Sequence, residues 1–328
     1  MRRKISSKVL VLLLVGTLGY ASGLKAQKLY DQQKASFEGV KILNVEGSFC
    51  DVLIEAESQK QIDFRGEIRG ESRSGGRDLK IHHSREGEVL RVWVDSPNGF
   101  YRNLDGKLQF KVPSDLQLDV RNSSGNIMVF GIRNAGMKLK ATSGDIELKD
   151  IHANLEFETT SGDFELMELT GDIEGKSTSG DQTFRKVKGS LYTRATSGEL
   201  SFYDIDGEIE SKTSSGNVDF EGIHGNMKNE STSGNIHVRY CQGALSMRAT
   251  SGNIRGEGIE LKQNSRFRTT SGNISMDFEN DLESLGFDLE ASSGDLYVGN
   301  RHGEKEILFR RGDILVRGES SSGNQRYK

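Results

Sequence analysis

The chain of 328 residues contains 39 glycines and only 2 prolines, with 34% hydrophobic and 28% charged side chains and a formal net charge of −4. This composition favours many short strands joined by tight turns, and it argues against a mainly helical protein. The acidic balance disfavours nucleic acid and anionic membrane surfaces as partners. Two cysteines cannot form a disulfide framework in a chain of this length.

The first 26 residues have the pattern of a secretory signal peptide. Three basic residues at positions 2–4 precede an apolar run over residues 9–18, and small residues come next, up to Ala26. The run is too short to span a membrane. Removal of residues 1–26 takes away five basic side chains and leaves 39 basic against 48 acidic ones, a net charge of −9. We therefore expect an exported protein, and no lipid anchor, because the first cysteine is Cys50.

Residues 27–120 alternate apolar and polar side chains as strands do, but without the regular punctuation of the later sequence. The clearest alternation covers residues 40–42, 51–55, 61–64, 91–94, 108–112 and 116–120. We expect an irregular β layer that caps the first coil of the repeat region, because an uncovered end would leave an open sheet edge. A loop over residues 96–105 carries Phe100 and Tyr101, which we take as the candidate contact residues.

Residues 121–328 contain an internal repeat. A Ser-Gly dipeptide returns every 18 residues, and its glycines are Gly144, Gly162, Gly180, Gly198, Gly216, Gly234 and Gly252. After Gly252 the spacing loosens. A fixed period of this length is typical of a solenoid, in which each coil buries its apolar face by stacking on its neighbours.

The apolar positions within the repeat predict the kind of solenoid. Counted from each Ser-Gly glycine as zero, positions +2 and +4 are mostly apolar and alternate with polar residues, as in Ile146-Glu147-Leu148. Position +11 is also apolar, so each coil has two similar halves, whereas position +8 is polar where a three-sided hexapeptide helix needs an apolar residue. We predict an all-β fold, a single-stranded parallel β-helix (β-solenoid) of about ten coils with about 18 residues each, wound in the right-handed sense. Residues 318–328 are expected to blunt its far end.

Asp, Asn or Glu comes directly after each Ser-Gly pair, as at Asp145, Asp163 and Asp181. Stacked aspartates could bind calcium. However, later coils carry Asn217 and Asn235 at the same position, and turn formation explains all of these residues whereas calcium explains only some. We therefore predict turn ladders, with no metal site and no cofactor. Cys241 occupies a position that is Ile or Leu or Val elsewhere, which predicts a buried thiol.

Three features of the sequence resemble a known family. They are residues 45–49 (Val-Glu-Gly-Ser-Phe) with 52–54 (Val-Leu-Ile) just after them, residues 110–114 (Phe-Lys-Val-Pro-Ser), and the iterated Thr-Ser-Gly-Asp/Asn-Ile units. Together they resemble the bacterial putative-adhesin β-strand-repeat family, common in Bacteroidetes envelopes, which includes proteins with the head domain called GIN. The resemblance implies a parallel β-helix exported to the periplasm, the outer-membrane surface or the cell exterior, and it carries no catalytic residues.

The sequence shows repetition without a catalytic constellation. Our hypothesis is an exported, non-enzymatic β-solenoid that contacts an envelope polysaccharide, a surface protein or a host glycan. One alternative is a carbohydrate-active enzyme on a parallel β-helix, whose site would use carboxylates or basic residues in a groove made by longer loops, at residues 96–105, 255–268 or 279–287. The other alternative is a structural spacer of the envelope.

Overall fold

The structure is a computed structural model that describes residues 28–74, 78–97, 100–133 and 136–328, with the side chains of residues 72–74 and 100–102 left aside. The predicted signal peptide lies outside the described residues. Within them the chain forms strands and one 3₁₀ helix, η1 (Leu282–Ser284), and no α-helix. No helix of these ranges is long and apolar enough to cross a membrane.

The strands, in chain order, are β1 (Lys28–Glu38), β2 (Ile42–Ser48), β3 (Asp51–Ala56), β4 (Gln61–Ser74), β5 (Ile81–Glu86), β6 (Val89–Val94), β7 (Phe100–Val112), β8 (Gln117–Asn122), β9 (Ile127–Phe130), β10 (Met137–Ala141), β11 (Ile146–His152), β12 (Leu155–Thr159), β13 (Phe164–Thr170), β14 (Ile173–Ser177), β15 (Gln182–Lys188), β16 (Leu191–Ser197), β17 (Leu200–Asp206), β18 (Ile209–Ser215), β19 (Val218–His224), β20 (Met227–Ser233), β21 (Ile236–Arg239), β22 (Gln242–Gly243), β23 (Leu245–Ser251), β24 (Ile254–Leu261), β25 (Ser265–Ser271), β26 (Ile274–Phe278), β27 (Leu285–Ser293), β28 (Leu296–Val298), β29 (Arg301–Gly303), β30 (Glu306–Phe309), β31 (Ile314–Ser322) and β32 (Gln325–Tyr327).

These strands form two large sheets, sheet A with 17 strands and sheet B with 15. From β8 to β28 the chain alternates between them, with one strand in sheet B and the next in sheet A, except that β21 and β22 follow each other within sheet A. Each strand pairs in parallel with the corresponding strand of the next coil, so that Ile146 lies beside Phe164 in sheet A and Leu155 lies beside Ile173 in sheet B. The molecule is therefore an all-β, solenoid-like stack of two sheets, and its core is the space between them.

The predicted inward positions are buried. Positions +2 and +4 of the repeat, from Ile146 and Leu148 to Ile236 and Val238, are at most 1% exposed. The +4 phenylalanines stack along the core, since the ring centroids of Phe202 and Phe220 are 4.9 Å apart and their planes differ by 10°. The burial predicted for these rows is thus confirmed, and the period-two alternation in the sequence is its cause.

The core also explains the one polar residue at position +2, Gln182, which is fully buried. Its side-chain oxygen accepts a hydrogen bond from the Thr193 hydroxyl on sheet B. Thr193 belongs to an inward row of small polar residues, continued by Ser211 and Asn229, in the same coils in which sheet A supplies large phenylalanines. Large and small side chains therefore alternate across the core, which keeps the distance between the sheets uniform.

Both ends of the stack depart from chain order. At one end, strands β2 and β3 lie between β8/β9 and β6/β7, and the outer coil is covered by the antiparallel strands β4 and β5. At the other end, β31 and β32 lie between β25/β26 and β27/β28, and the antiparallel strands β29 and β30 close the outside. The prediction that residues 318–328 blunt the far end is wrong, because this segment is paired on both sides.

In the part of the chain described, thirteen of the 15 strands of sheet B run parallel to one another, and the other two, β5 and β30, are antiparallel. The coil formed by β2 and β3 belongs to this stack although the sequence lacks a Ser-Gly pair there. Cys50 takes the place of the turn glycine, since a Cβ on Gly125 of the next coil would lie 2.1 Å from the Cys50 carbonyl oxygen. The Asp51 side chain accepts a hydrogen bond from the Asn126 N–H at 2.9 Å, as the later turn residues do.

Candidate functional site

The predicted contact residues Phe100 and Tyr101 lie at the start of strand β7. Their backbone pairs antiparallel with β4, with Phe100 beside Ser74 and Tyr101 beside Ser72. The structure thus places them in a strand at the end of the stack, where the sequence predicted a loop. Their side chains lie outside the described residues, and their role as contact residues stays a prediction.

The acidic residues after each Ser-Gly pair form a hydrogen-bond ladder along one edge of the stack. The Asp145 carboxylate accepts from the Asp163 N–H at 2.9 Å, and the Asp163 carboxylate accepts from the Asp181 N–H at 2.8 Å. In later coils Asn217 plays the same part, accepting from the Asn235 N–H at 3.0 Å. An amide oxygen and a carboxylate serve equally in this ladder, which accounts for the change from Asp to Asn along the chain. Over the described ranges, no group of three or more His, Cys, Asp and Glu side chains is placed to hold a metal ion.

The opposite edge carries a second ladder, where the chain enters sheet B at position +10. The Asn154 side chain accepts from the Asp172 N–H at 3.0 Å, and the Asp172 carboxylate accepts from the Ser190 N–H at 2.9 Å. Asn226 accepts from the Ala244 N–H at 3.0 Å in the same way. These bonds keep a straight row of short side chains along the start of sheet B.

A long open groove runs beside this second ladder. It has a volume of about 1170 Å³ and extends from β8 to β31, across ten coils of the described chain. At a strand spacing of about 4.8 Å, ten coils make a groove on the order of 45 Å long. Its floor is the buried +11 row, and its walls are the outward +10 and +12 rows, namely Asn154, Asp172, Ser190, Glu208, Asn226, Ala244 and Asn264, and Lys138, Glu156, Glu174, Tyr192, Glu210, Lys228, Ser246, Arg266 and Arg317.

The charges in this groove are segregated along its length. The middle three coils carry the exposed carboxylates of Asp172 and Glu174 in the first coil, Tyr192 in the second and the exposed carboxylate of Glu208 in the third. Lysines flank it, with Lys138 paired to Glu156 at 2.5 Å and Lys228 paired to Glu210 at 2.8 Å. The hydrogen bond to Glu156 raises the pKa of Lys138, and the hydrogen bond to Glu210 raises the pKa of Lys228. The centre of the groove is therefore negative, and it offers one aromatic ring, Tyr192, whose neighbour Arg194 lies 5.0 Å from the ring centroid.

Reasoning from the sequence did not identify this groove. The +10 and +12 rows vary from coil to coil, so they carry no periodic signal. The one hint was the turn chemistry of Asn154, Asp172 and Ser190, which repeats that of the Ser-Gly edge.

The two thiols lie outside the groove. Cys50 and Cys241 are free and buried, as predicted for Cys241. Burial raises the pKa of the Cys50 thiol to about 12 and that of the Cys241 thiol to about 11. Both thiols therefore stay protonated at neutral pH and pack as small apolar groups.

Comparison with known proteins supports a family assignment. A family model described as Toastrack DUF4097 matches residues 40–221 and 207–313. No curated protein matches this chain.

Solved structures that match this chain include a putative adhesin from Parabacteroides distasonis, with 15% identity over 76% of this chain and 97% of that one, at a TM-score of 0.38. A putative adhesin from Parabacteroides merdae has 16% identity over 76% of this chain and 96% of that one, at a TM-score of 0.29. A putative lipid binding protein from Parabacteroides distasonis has 12% identity over 90% of this chain and 96% of that one, at a TM-score of 0.28.

Proposed function

Because this chain belongs to the Toastrack DUF4097 family, we propose that it is an exported, non-enzymatic, adhesin-like module that binds an extended glycan along the sheet B groove. The observation that carries the proposal is the groove itself, which is open, about 1170 Å³ in volume and continuous across ten coils of the described chain. A groove of this shape fits a linear polymer better than a compact small molecule.

The spacing of the groove walls supports a polymeric ligand. Each coil adds one +10 and one +12 side chain, so hydrogen-bonding groups recur about every 4.8 Å. This interval is comparable to one sugar unit of an extended chain, and a ligand could therefore repeat the same contacts from coil to coil.

The charge of the groove narrows the ligand class. Exposed carboxylates at Asp172, Glu174 and Glu208 would repel a polyanion and would accept hydrogen bonds from hydroxyl or amino groups. We therefore infer a neutral or amino-bearing polysaccharide of the cell envelope or of a host surface.

The proposal includes three points from the sequence. The mature protein, without residues 1–26, acts in the periplasm, at the outer-membrane surface or at the cell exterior. Residues 27–120 form the capping end of the stack, with the coils of β2/β3 and β6/β7 counted in it, and residues 121–328 carry the binding surface apart from Gln117. The solenoid winds in the right-handed sense with about 18 residues and two similar half-coils per turn, the usual sense of parallel crossovers.

The test is a binding screen of residues 27–328 against a glycan array and envelope extracts, with bound glycans inspected for cleavage. Ser190→Trp places an indole in the middle of the groove, and only the Ser190 backbone takes part in the ladder, so the fold should persist. Ser201→Trp, on the outer face of sheet A, is the matched control. Binding lost only in Ser190→Trp supports the proposal. Equal binding by both variants refutes the groove, cleavage indicates an enzyme, and a lack of binding to any sample favours a spacer.

A further inference from the structure

Tyr240 stands out on the face of the stack opposite the groove. It comes directly after strand β21 in sheet A and is 62% exposed, more than any other large hydrophobic side chain in the described residues. Its backbone has φ 54°, in the left-handed region. An aromatic residue gains nothing for folding from this combination of exposure and backbone strain.

The row to which Tyr240 belongs shows how unusual it is. Position +6 is left-handed in eight successive coils, and its residues are Gly131, Asp150, Glu168, Lys186, Asp204, Gly222, Tyr240 and Gly258. The other members are small or charged, as suits an exposed bulge. The coils on both sides of Tyr240 carry glycine, so no neighbouring side chain of this row covers its ring.

The Tyr240 ring packs against Gly258 of the next coil. A Cβ at Gly258 would lie 2.8 Å from Cδ1 and 3.2 Å from Cε1 of Tyr240, so one edge of the ring rests on the glycine backbone. The Tyr240 N–H donates to the Glu257 carbonyl at 2.9 Å, which fixes the bulge against the next coil. Any larger residue at 258 would push the ring away.

A carboxylate completes the arrangement. Glu279 Oε1 lies 3.6 Å from the same point above Gly258. The Glu279 N–H donates to the Ile259 carbonyl at 2.8 Å, so the residue is anchored where the regular bulge row ends. An exposed aromatic ring and an exposed acceptor oxygen therefore flank one glycine.

We propose that Tyr240, Gly258 and Glu279 form a second binding subsite, for one hexose ring of a neutral or amino-bearing glycan. The aromatic ring offers a flat surface for the C–H face of a sugar, and the carboxylate accepts a hydrogen bond from a hydroxyl or ammonium group. Glu257 and Glu279 give the subsite a negative charge, which disfavours uronic acids. The ligand class is that of the proposed function, but the subsite lies on sheet A and stands on separate observations.

The test is isothermal titration of residues 27–328 with four hexasaccharides: cellohexaose, chitohexaose, the glucosamine hexamer and oligogalacturonate. Tyr240→Asn removes the ring and suits the left-handed backbone, so the variant should fold at least as well as the parent. Tyr240→Phe keeps the ring. Tyr203→Asn is the control, because Tyr203 lies on the same sheet under Arg185, with 4.0 Å from the guanidinium to the ring centroid.

We expect at least one neutral or amino-bearing hexamer to bind, and Tyr240→Asn to weaken it by about tenfold or more. Tyr240→Phe and Tyr203→Asn should stay within about twofold of the parent, and Glu279→Gln should weaken the glucosamine hexamer most. The subsite is overturned if none of these hexamers binds, if only oligogalacturonate binds, or if Tyr240→Asn keeps the parent affinity. Loss of binding in Ser190→Trp with no change in Tyr240→Asn would overturn the subsite and leave the groove standing.

Discussion

Replacing a turn glycine with alanine tests how closely the coils are stacked. Gly216 has φ 130°, in a region that side chains avoid, and a Cβ there would lie 1.9 Å from the carbonyl oxygen of Gly198 in the neighbouring coil. This overlap is with backbone, so no flexible side chain can move aside. The two coils must separate locally by about 1 Å or more to accommodate a methyl group.

The cost of Gly216→Ala can be worked out from the contacts involved. The strained backbone costs about 1–3 kcal/mol. Separation of the coils also stretches the bond from the Leu200 N–H to the Asn217 carbonyl, now 3.1 Å, and a lost ladder bond costs about 1–2 kcal/mol. We therefore expect the free energy of unfolding to fall by about 2–5 kcal/mol, a large part of the stability of an ordinary domain.

Urea unfolding monitored by circular dichroism at the β-sheet band measures this change. Gly136→Ala is the matched control, because nothing lies within 4 Å of a Cβ built on Gly136 and its φ lies outside the strained range. If the two alanine variants unfold within about 0.5 kcal/mol of each other, the close approach of the turn backbones is refuted.

Three further outcomes are expected from the core, the turn ladder and the thiols. Phe202→Asp should unfold several coils, seen as loss of the β-sheet dichroism, because an unpaired charge would enter the phenylalanine stack; an unchanged melting temperature would contradict its inward position. Asp163→Asn should leave the melting temperature nearly unchanged, because an amide oxygen also accepts from the Asp181 N–H, and a large loss in the variant together with a calcium-dependent melting temperature in the parent would indicate a metal site. Cys50 and Cys241 should resist a thiol reagent at pH 8 until the protein is denatured, because burial shields both thiols and raises their pKa values still further above that pH; rapid labelling of the native protein would contradict their burial.

The sequence predicts the interior well because burial leaves a strict pattern. A residue facing the core must be apolar or hydrogen-bonded, so the alternation around Ile146 and Leu148 predicts which positions face inward. The Cys241 thiol could be predicted to be buried because other coils have Ile, Leu or Val at its position. Turn residues are equally constrained, since each must supply a left-handed glycine or a side-chain oxygen for the next coil.

The order of the coils at the two ends could not be predicted in the same way. Alternation tells which face of a strand is buried but not which strand lies beside it, so β31 and β32 gave no sign that they lie between two earlier coils. The coil formed by β2 and β3 could not be recognised as a repeat, because Cys50 occupies the position at which other coils have glycine. The groove and Tyr240 could not be predicted because their residues face outward. Outward positions are free to vary from coil to coil, so a functional side chain there does not recur with the repeat.

The position of strands β31 and β32 has a consequence for how the protein can be divided. They are joined to β30 by exposed residues 310–313, and each is hydrogen-bonded to a neighbour on both sides. A protease cut at residues 310–313 would therefore leave a nicked protein whose two fragments stay associated without a covalent link. The same geometry makes a split reporter feasible, in which a peptide of residues 314–328 restores the stack of a chain that lacks them.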